Sequence, residues 1–145
     1  MFTLYDRPTC PFCWKVRIVL AAHDHAHQTI EVSDRTRTAG LGPQGTTPIL
    51  VDGDLVIWDS SAIVEYLVDI GGDGLMPADA GQAAQARLLH VYSDRVVGPA
   101  GLRDVVFETR GKDGAERDEA VIEAGEAGWR SCLDWLESRI ESVEG

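Results

Sequence analysis

Sulfur and positive charge are both scarce in this chain. Its 145 residues include three cysteines and two methionines, and 13 Lys and Arg stand against 24 Asp and Glu, a formal net charge of -11. So few basic residues weaken any attraction to phosphate backbones or anionic lipid, so neither nucleic acid nor a membrane surface is expected as a partner. No run of about 20 apolar residues is present that could span a bilayer. The opening MFTLYDRPTC has neither a basic n-region nor an apolar h-region, so the expected location is cytoplasmic. Three cysteines cannot all pair within one chain, and in a reducing compartment close cysteines more often do chemistry or hold metal than staple a fold. Low-complexity tracts and internal repeats are also lacking. What remains is ordinary, 44% hydrophobic and 26% charged, and the length suits one sizeable core or a small domain with an appendage.

The first half alternates strand and helix signals. FTLY (2–5) is a short apolar, β-prone run cut by Asp6, Arg7 and Pro8. Pro11 suits the first turn of a helix, in which Val16, Val19 and Leu20 share a face and which fades near His23. HQTIEV (27–32) reads as a second strand, followed by a polar, glycine-rich loop with at most an irregular helical turn over 34–45. Asp52-Gly53, between ILV and LVIW, marks a hairpin turn. Ile63, Leu67 and Ile70 then recur at helical spacing, with Asp59, Ser60 or Ser61 available as cap. Residues 71–81 read as a linker. Two amphipathic helices follow over 82–108 and 117–142, one striped by Leu88, Leu89, Tyr92 and Val96, the other by Ile122, Trp129, Leu133, Leu136 and Ile140. Gly98 and Pro99 are expected to kink or break the first, and 109–116 forms the turn between them.

The chemistry concentrates in TCPFC. A thiolate at a helix N-terminus is favoured by free N–H groups and the helix dipole. Cys10 holds that position, and Cys13 lies one turn on, where a resolving thiol can attack a mixed disulfide formed on Cys10. Zinc would need about two more ligands; only His23, His25 and His27 offer themselves, on what reads as a solvated loop. Two inert small hydrophobes are the remaining alternative for the pair. Cys132, inside an apolar helix, reads as core. Gly40, Gly42 and Gly45 match a dinucleotide fingerprint by spacing, but Pro43 interrupts it and a strand follows where a helix should open. DGD at 52–54 is too short for a calcium loop.

TCPFC after a first strand, TTP opening a third, and DSSAIVEYL after a hairpin together resemble the glutathione transferase superfamily, in its variant with a glutaredoxin-type Cys-Pro-Phe-Cys site. The resemblance is strong over 1–75, and DEAVIEAGEAGWRSCLDWLE is similar to part of that superfamily's helical domain. It implies an α/β thioredoxin-like domain, a four-stranded mixed sheet with flanking helices, over 1–75. A short all-α region of two long helices over 76–145 would follow it. It further implies that Pro48 is a cis-proline and that Thr47 presents its backbone to the cysteinyl part of glutathione. Asp59 and Ser60 would receive the γ-glutamyl end; taken singly, Pro48 could simply start a strand and Asp59 with Ser60 simply cap a helix. Arg7 and Lys15 are the nearest basic residues and could meet the glycyl carboxylate; Arg17 reads as a surface or packing charge, and Trp14 as packing on its helix. The implied activity is glutathione-dependent thiol-disulfide exchange on glutathionylated or disulfide substrates, with Cys10 as nucleophile and no metal. The alternatives are conjugation of glutathione to small electrophiles and a non-catalytic interaction module. Members of the family usually carry further helices, so the apolar faces of 82–142 are expected to meet a second copy or to belong to a longer protein.

Overall fold

A computed structural model describes every residue except 34–37, 39, 72, 73, 111 and 145, and the side chains of 140–144 lie outside it. The chain divides into two compact units, Met1–Pro77 and Ala78–Gly145.

In the first unit, strands β1 (Phe2–Asp6), β2 (His27–Glu31), β3 (Ile49–Asp52) and β4 (Leu55–Trp58) form one sheet in the order β2-β1-β3-β4. β1 and β2 run parallel, Phe2 opposite His27 and Asp6 opposite Glu31, and the crossover between them is helix α1 (Pro11–Ala22). The remaining pairs are antiparallel, with Leu4 opposite Leu50 and Asp52 opposite Leu55. The expected mixed sheet is therefore present. Its hairpin turns one residue later than the sequence suggests: Asp52 still pairs with Leu55, so Gly53 and Asp54 are the loop, and Gly53 takes a φ of 59° that a side chain would oppose. Leu4 and Leu50, neighbours across the ladder, sit on one face. Val16, Val19 and Leu20 of α1 cover that face with Ile63 and Leu67 of α2 (Ser60–Gly71). Tyr66 fastens α2 to the hairpin by donating its hydroxyl hydrogen to Asp52 Oδ2 at 2.6 Å.

The second unit opens with α3 (Ala80–Tyr92), capped by Asp79, whose Oδ1 accepts from the Gln82 N–H at 2.9 Å. Where a break is expected at Gly98 and Pro99, the chain instead continues as a π-helical segment over Ser93–Phe107 and a short α4 (Glu108–Arg110). Proline disrupts the i to i−4 ladder of an α-helix; here the wider register carries Pro99 inside the turn run. A 3-10 turn (Gly114–Glu116) leads into α5 (Glu119–Glu144). Glu108 Oε1 accepts from the Asp118 N–H at 2.8 Å and from Lys112 Nζ, tying the end of the first run to the start of the second. Those two donors also hold the Glu108 carboxyl below its ordinary range.

The expected stripes are only partly buried. Ala83, Ile122 and Cys132 are covered, whereas Leu88, Leu89, Val96, Trp129 and Leu133 remain well exposed. Periodicity specifies a face but not what lies against it. Close approach of the π-helical segment to α5 depends on glycine: a Cβ on Gly101 would lie 1.9 Å from the Trp129 ring. Gly101→Ala should therefore destabilise this unit by about 1–3 kcal/mol through overpacking. Gly114→Ala, where a Cβ meets nothing within 4 Å, is the control; equal melting temperatures for the two variants would contradict the close-approach account.

Candidate active site

β1 delivers the chain to Asp6, a turn closed by the Cys10 N–H donating to the Arg7 carbonyl at 2.9 Å reverses it, and Cys10 becomes the residue immediately before α1. Its backbone is extended (φ -84°, ψ 119°) while its carbonyl already accepts from the Trp14 N–H at 3.1 Å, and Pro11 occupies the first helical position. This leaves the early N–H groups of α1 free of side-chain capping and of acidic neighbours in the first turn, a setting that stabilises an anion. Cys10 is half-buried; Cys13, on the inner face of α1, is fully buried.

The two thiols are electrostatically unlike. Cys10 is pulled down to about 6, chiefly by a hydrogen bond with the Cys13 side chain; burial opposes this, and the N–H groups of Cys13 and Phe12 and the side chain of Thr47 assist. Cys13 is pushed well above the ordinary thiol range, because its proton is held by Cys10 and because it is buried. Cys10 is thus the thiolate and Cys13 the donor that steadies it. When neutral, Cys10 Sγ lies 3.9 Å from the Thr47 carbonyl, a long contact that restrains the thiol weakly compared with the donors serving the anion.

Thr47 precedes Pro48 through a cis peptide bond, and Ile49 begins β3 directly after it. Cys10, Cys13 and Thr47 therefore meet, with Pro48 adjoining. Asp59 and Ser60 form their own cluster at the start of α2. Asp59 Oδ1 accepts from the N–H groups of Ser61 (2.9 Å) and Ala62 (3.3 Å), its side chain is exposed, and Ser60 is buried. Asp59 has a φ of 74°, a region that Asp and Asn tolerate better than other side chains. Asp59→Ala should lower stability by about 1–2 kcal/mol through the lost cap, while Asp59→Asn should retain most of it. Equal chemical-denaturation midpoints for the Ala variant and the unaltered chain would contradict this.

Arg7 is exposed and donates to the Ser33 carbonyl at 3.4 Å. Lys15 lies over the Phe12 ring, 5.3 Å from its centroid. Trp14 does not enter the core: it is 56% exposed, its indole N–H donates to the Pro8 carbonyl at 2.9 Å, and the Arg17 guanidinium lies 4.9 Å from its ring. Arg17 donates to the same carbonyl at 3.0 Å and faces Asp6 at 3.6 Å, so Trp14 and Arg17 together pin the turn that carries Cys10. Sequence reasoning treats Asp6 only as the residue that ends a strand, yet it is 3% exposed. Its even spacing from Leu4 on β1 was the available signal. His23 and His25 lie side by side, 5.6 Å between centroids, and His27 Nδ1 is 2.9 Å from the His25 carbonyl oxygen. Among the described residues no group of three or more His, Cys, Asp or Glu could hold a metal ion.

Residues 4–73 match the N-terminal domain family of glutathione S-transferase. Over those residues the chain carries a glutathione S-transferase N-terminal domain. The chain is 38% identical over 93 residues to a stringent starvation protein A homolog of Pasteurella multocida, an alignment covering 61% of the present chain and 44% of that protein. The chain thus spans less than half the length of that relative. Among solved structures, it resembles the theta class glutathione S-transferase of Xanthomonas axonopodis pv. citri with glutathione bound. That match has a TM-score of 0.85 at 25% identity and covers 97% of this chain and 70% of the other. A glutathione S-transferase of Methylobacillus flagellatus with glutathione bound matches with a TM-score of 0.81 at 27% identity, covering 97% and 71%.

Proposed function

We propose that this chain is a glutathione-dependent thiol-disulfide oxidoreductase with Cys10 as its nucleophile. The observation that carries the reading is the pairing at the start of α1: a half-buried Cys10 held as thiolate by the Cys13 thiol and two backbone N–H groups. A hydroxyl in that position would donate a hydrogen bond to the sulfur of glutathione and favour conjugation, whereas an anionic sulfur repels a second thiolate and attacks a disulfide. In the proposed cycle the Cys10 thiolate attacks the glutathione sulfur of a mixed disulfide. The Cys10–glutathione disulfide forms, and the substrate thiolate leaves and takes a proton from solvent. A second glutathione thiolate then attacks the glutathione sulfur of that disulfide, forming oxidised glutathione with Cys10 thiolate as the leaving group; alternatively Cys13 attacks Cys10 Sγ and releases glutathione, leaving a Cys10–Cys13 disulfide that two further glutathiones reduce.

Glutathione would lie with its cysteinyl backbone against Thr47 and its γ-glutamyl end toward Asp59 and Ser60. The positive end of the α2 dipole suits a carboxylate, and the exposed Asp59 carboxylate suits the γ-glutamyl amine. The two similar structures that hold glutathione support glutathione as the ligand. The reading is tested by coupling reduction of a glutathione mixed disulfide to glutathione reductase, beside conjugation of an aromatic electrophile. Reduction without conjugation supports it. Conjugation alone would install the transferase reading, and a folded chain silent in both would be an interaction module.

A further inference from the structure

Of the two thiols at the start of α1, Cys13 is the one that water does not reach. It is fully buried on the inner face of the helix, while Cys10 is half-buried among the exposed Pro8, Thr9 and Pro11. The Cys10 sulfur holds the Cys13 proton. The Arg7 N–H and the Thr47 side chain also act on the Cys13 sulfur, but both favour its anion and neither takes its proton. Attack by Cys13 therefore needs a proton acceptor located at Cys10 itself. A mixed disulfide on Cys10 removes that acceptor, because the sulfur is then neutral.

Oxygen bonded to Cys10 supplies one. A sulfenic acid places an oxygen on the same sulfur that the Cys13 thiol already hydrogen-bonds, and a sulfenic acid condenses with a neighbouring thiol to a disulfide. That oxygen can take the Cys13 proton and leave as water, so no separate base is required. The N–H groups of Phe12 and Cys13 already serve the Cys10 sulfur, where they also favour negative charge on an oxygen added to it. Access suits a small oxidant: Cys10 is partly open to solvent, and no acidic residue stands in the first turn of α1. An accessible thiolate poised beside a resolving cysteine is the arrangement of redox-sensitive sites.

We propose that Cys10 is a hydroperoxide-sensitive cysteine whose sulfenic acid is captured by Cys13. The Cys10 thiolate attacks one peroxide oxygen, the O–O bond breaks, and the departing hydroxide or alkoxide takes a proton from solvent. Cys13 then attacks Cys10 Sγ, the S–O bond breaks, and the oxygen leaves as water with the Cys13 proton. The peroxide is reduced by two electrons, and the two thiols are oxidised by two electrons to a Cys10–Cys13 disulfide. The inference rests on the nucleophilic Cys10 of the redox reading above, but not on glutathione.

The test treats the full reduced chain with hydrogen peroxide in the presence of dimedone, a trap for sulfenic acids, and follows the mass of the peptide that contains both cysteines. The unaltered chain should lose two hydrogens from that peptide and take up little dimedone. Cys13→Ala should carry dimedone on Cys10, on the order of tenfold more than the unaltered chain, and Cys10→Ser should carry none. Equal dimedone uptake by the unaltered chain and Cys13→Ala would overturn the proposal. So would a Cys10 recovered mainly as sulfinic acid or joined to a second chain, and these products decide the matter from the unaltered chain alone if Cys13→Ala does not fold. Iodoacetamide separates the two readings. A Cys10 that alkylates at neutral pH but gives no disulfide with peroxide refutes capture alone, whereas a Cys10 inert to both reagents removes the redox reading as well.

Discussion

Replacement of Cys10 by serine should reduce turnover of a glutathione mixed disulfide by on the order of 1000-fold or more, because a serine hydroxyl does not ionise near neutrality and forms no disulfide. Cys13→Ala should behave differently. It leaves the nucleophile and the route through a second glutathione, but removes the main donor to the Cys10 thiolate. Loss of that donor raises the Cys10 pKa toward an ordinary thiol, so less thiolate is present at pH 7 and the rate falls there, recovering as pH rises toward 9. The measurement is the glutathione-reductase-coupled rate of both variants at pH 7 and pH 9. Equal loss in the two variants at both pH values would remove the distinction between nucleophile and resolver.

Leu50→Ala should lower the stability of the first unit by about 2–5 kcal/mol, the transfer free energy of the lost carbons plus the cavity they leave. Leu50 is fully buried opposite Leu4, among Val16, Leu20, Ile63 and Leu67, where α1, α2 and the sheet converge. It also stands two residues after Pro48, so the same cavity loosens the strand that places Thr47 beside Cys10. Urea unfolding monitored by circular dichroism checks this, and a midpoint unchanged from the parent would mean that the core can collapse around the gap.

The first unit was legible because its signals are local and agree with one another. Pro11 opens a helix, Asp59 caps one, and the apolar runs on either side of Gly53 form a hairpin; each needs only a few neighbours in sequence. The second unit was harder. Gly98 and Pro99 are local breakers, yet a wider helical register carries the chain through them, and the closeness that explains Gly101 comes from Trp129, distant in sequence. Leu88 and Leu133 fall on helical stripes but are exposed, since spacing says which residues share a face and not what covers them. At the site, the roles of Cys10 and Cys13 follow from order along a helix. Asp6 and Arg17 do not, because their meaning depends on a strand end and a helix face brought together by folding.

The central claim is that Cys10 is a ready nucleophile at neutral pH, and the pH dependence of its alkylation tests it most directly. With a pKa of about 6, about nine-tenths of Cys10 is thiolate at pH 7. The rate of iodoacetamide labelling, followed by mass spectrometry of the peptide containing Cys10, should rise about tenfold per pH unit below that pKa and level off above it. A rate that keeps climbing through pH 8, as for an unperturbed thiol, would contradict the account.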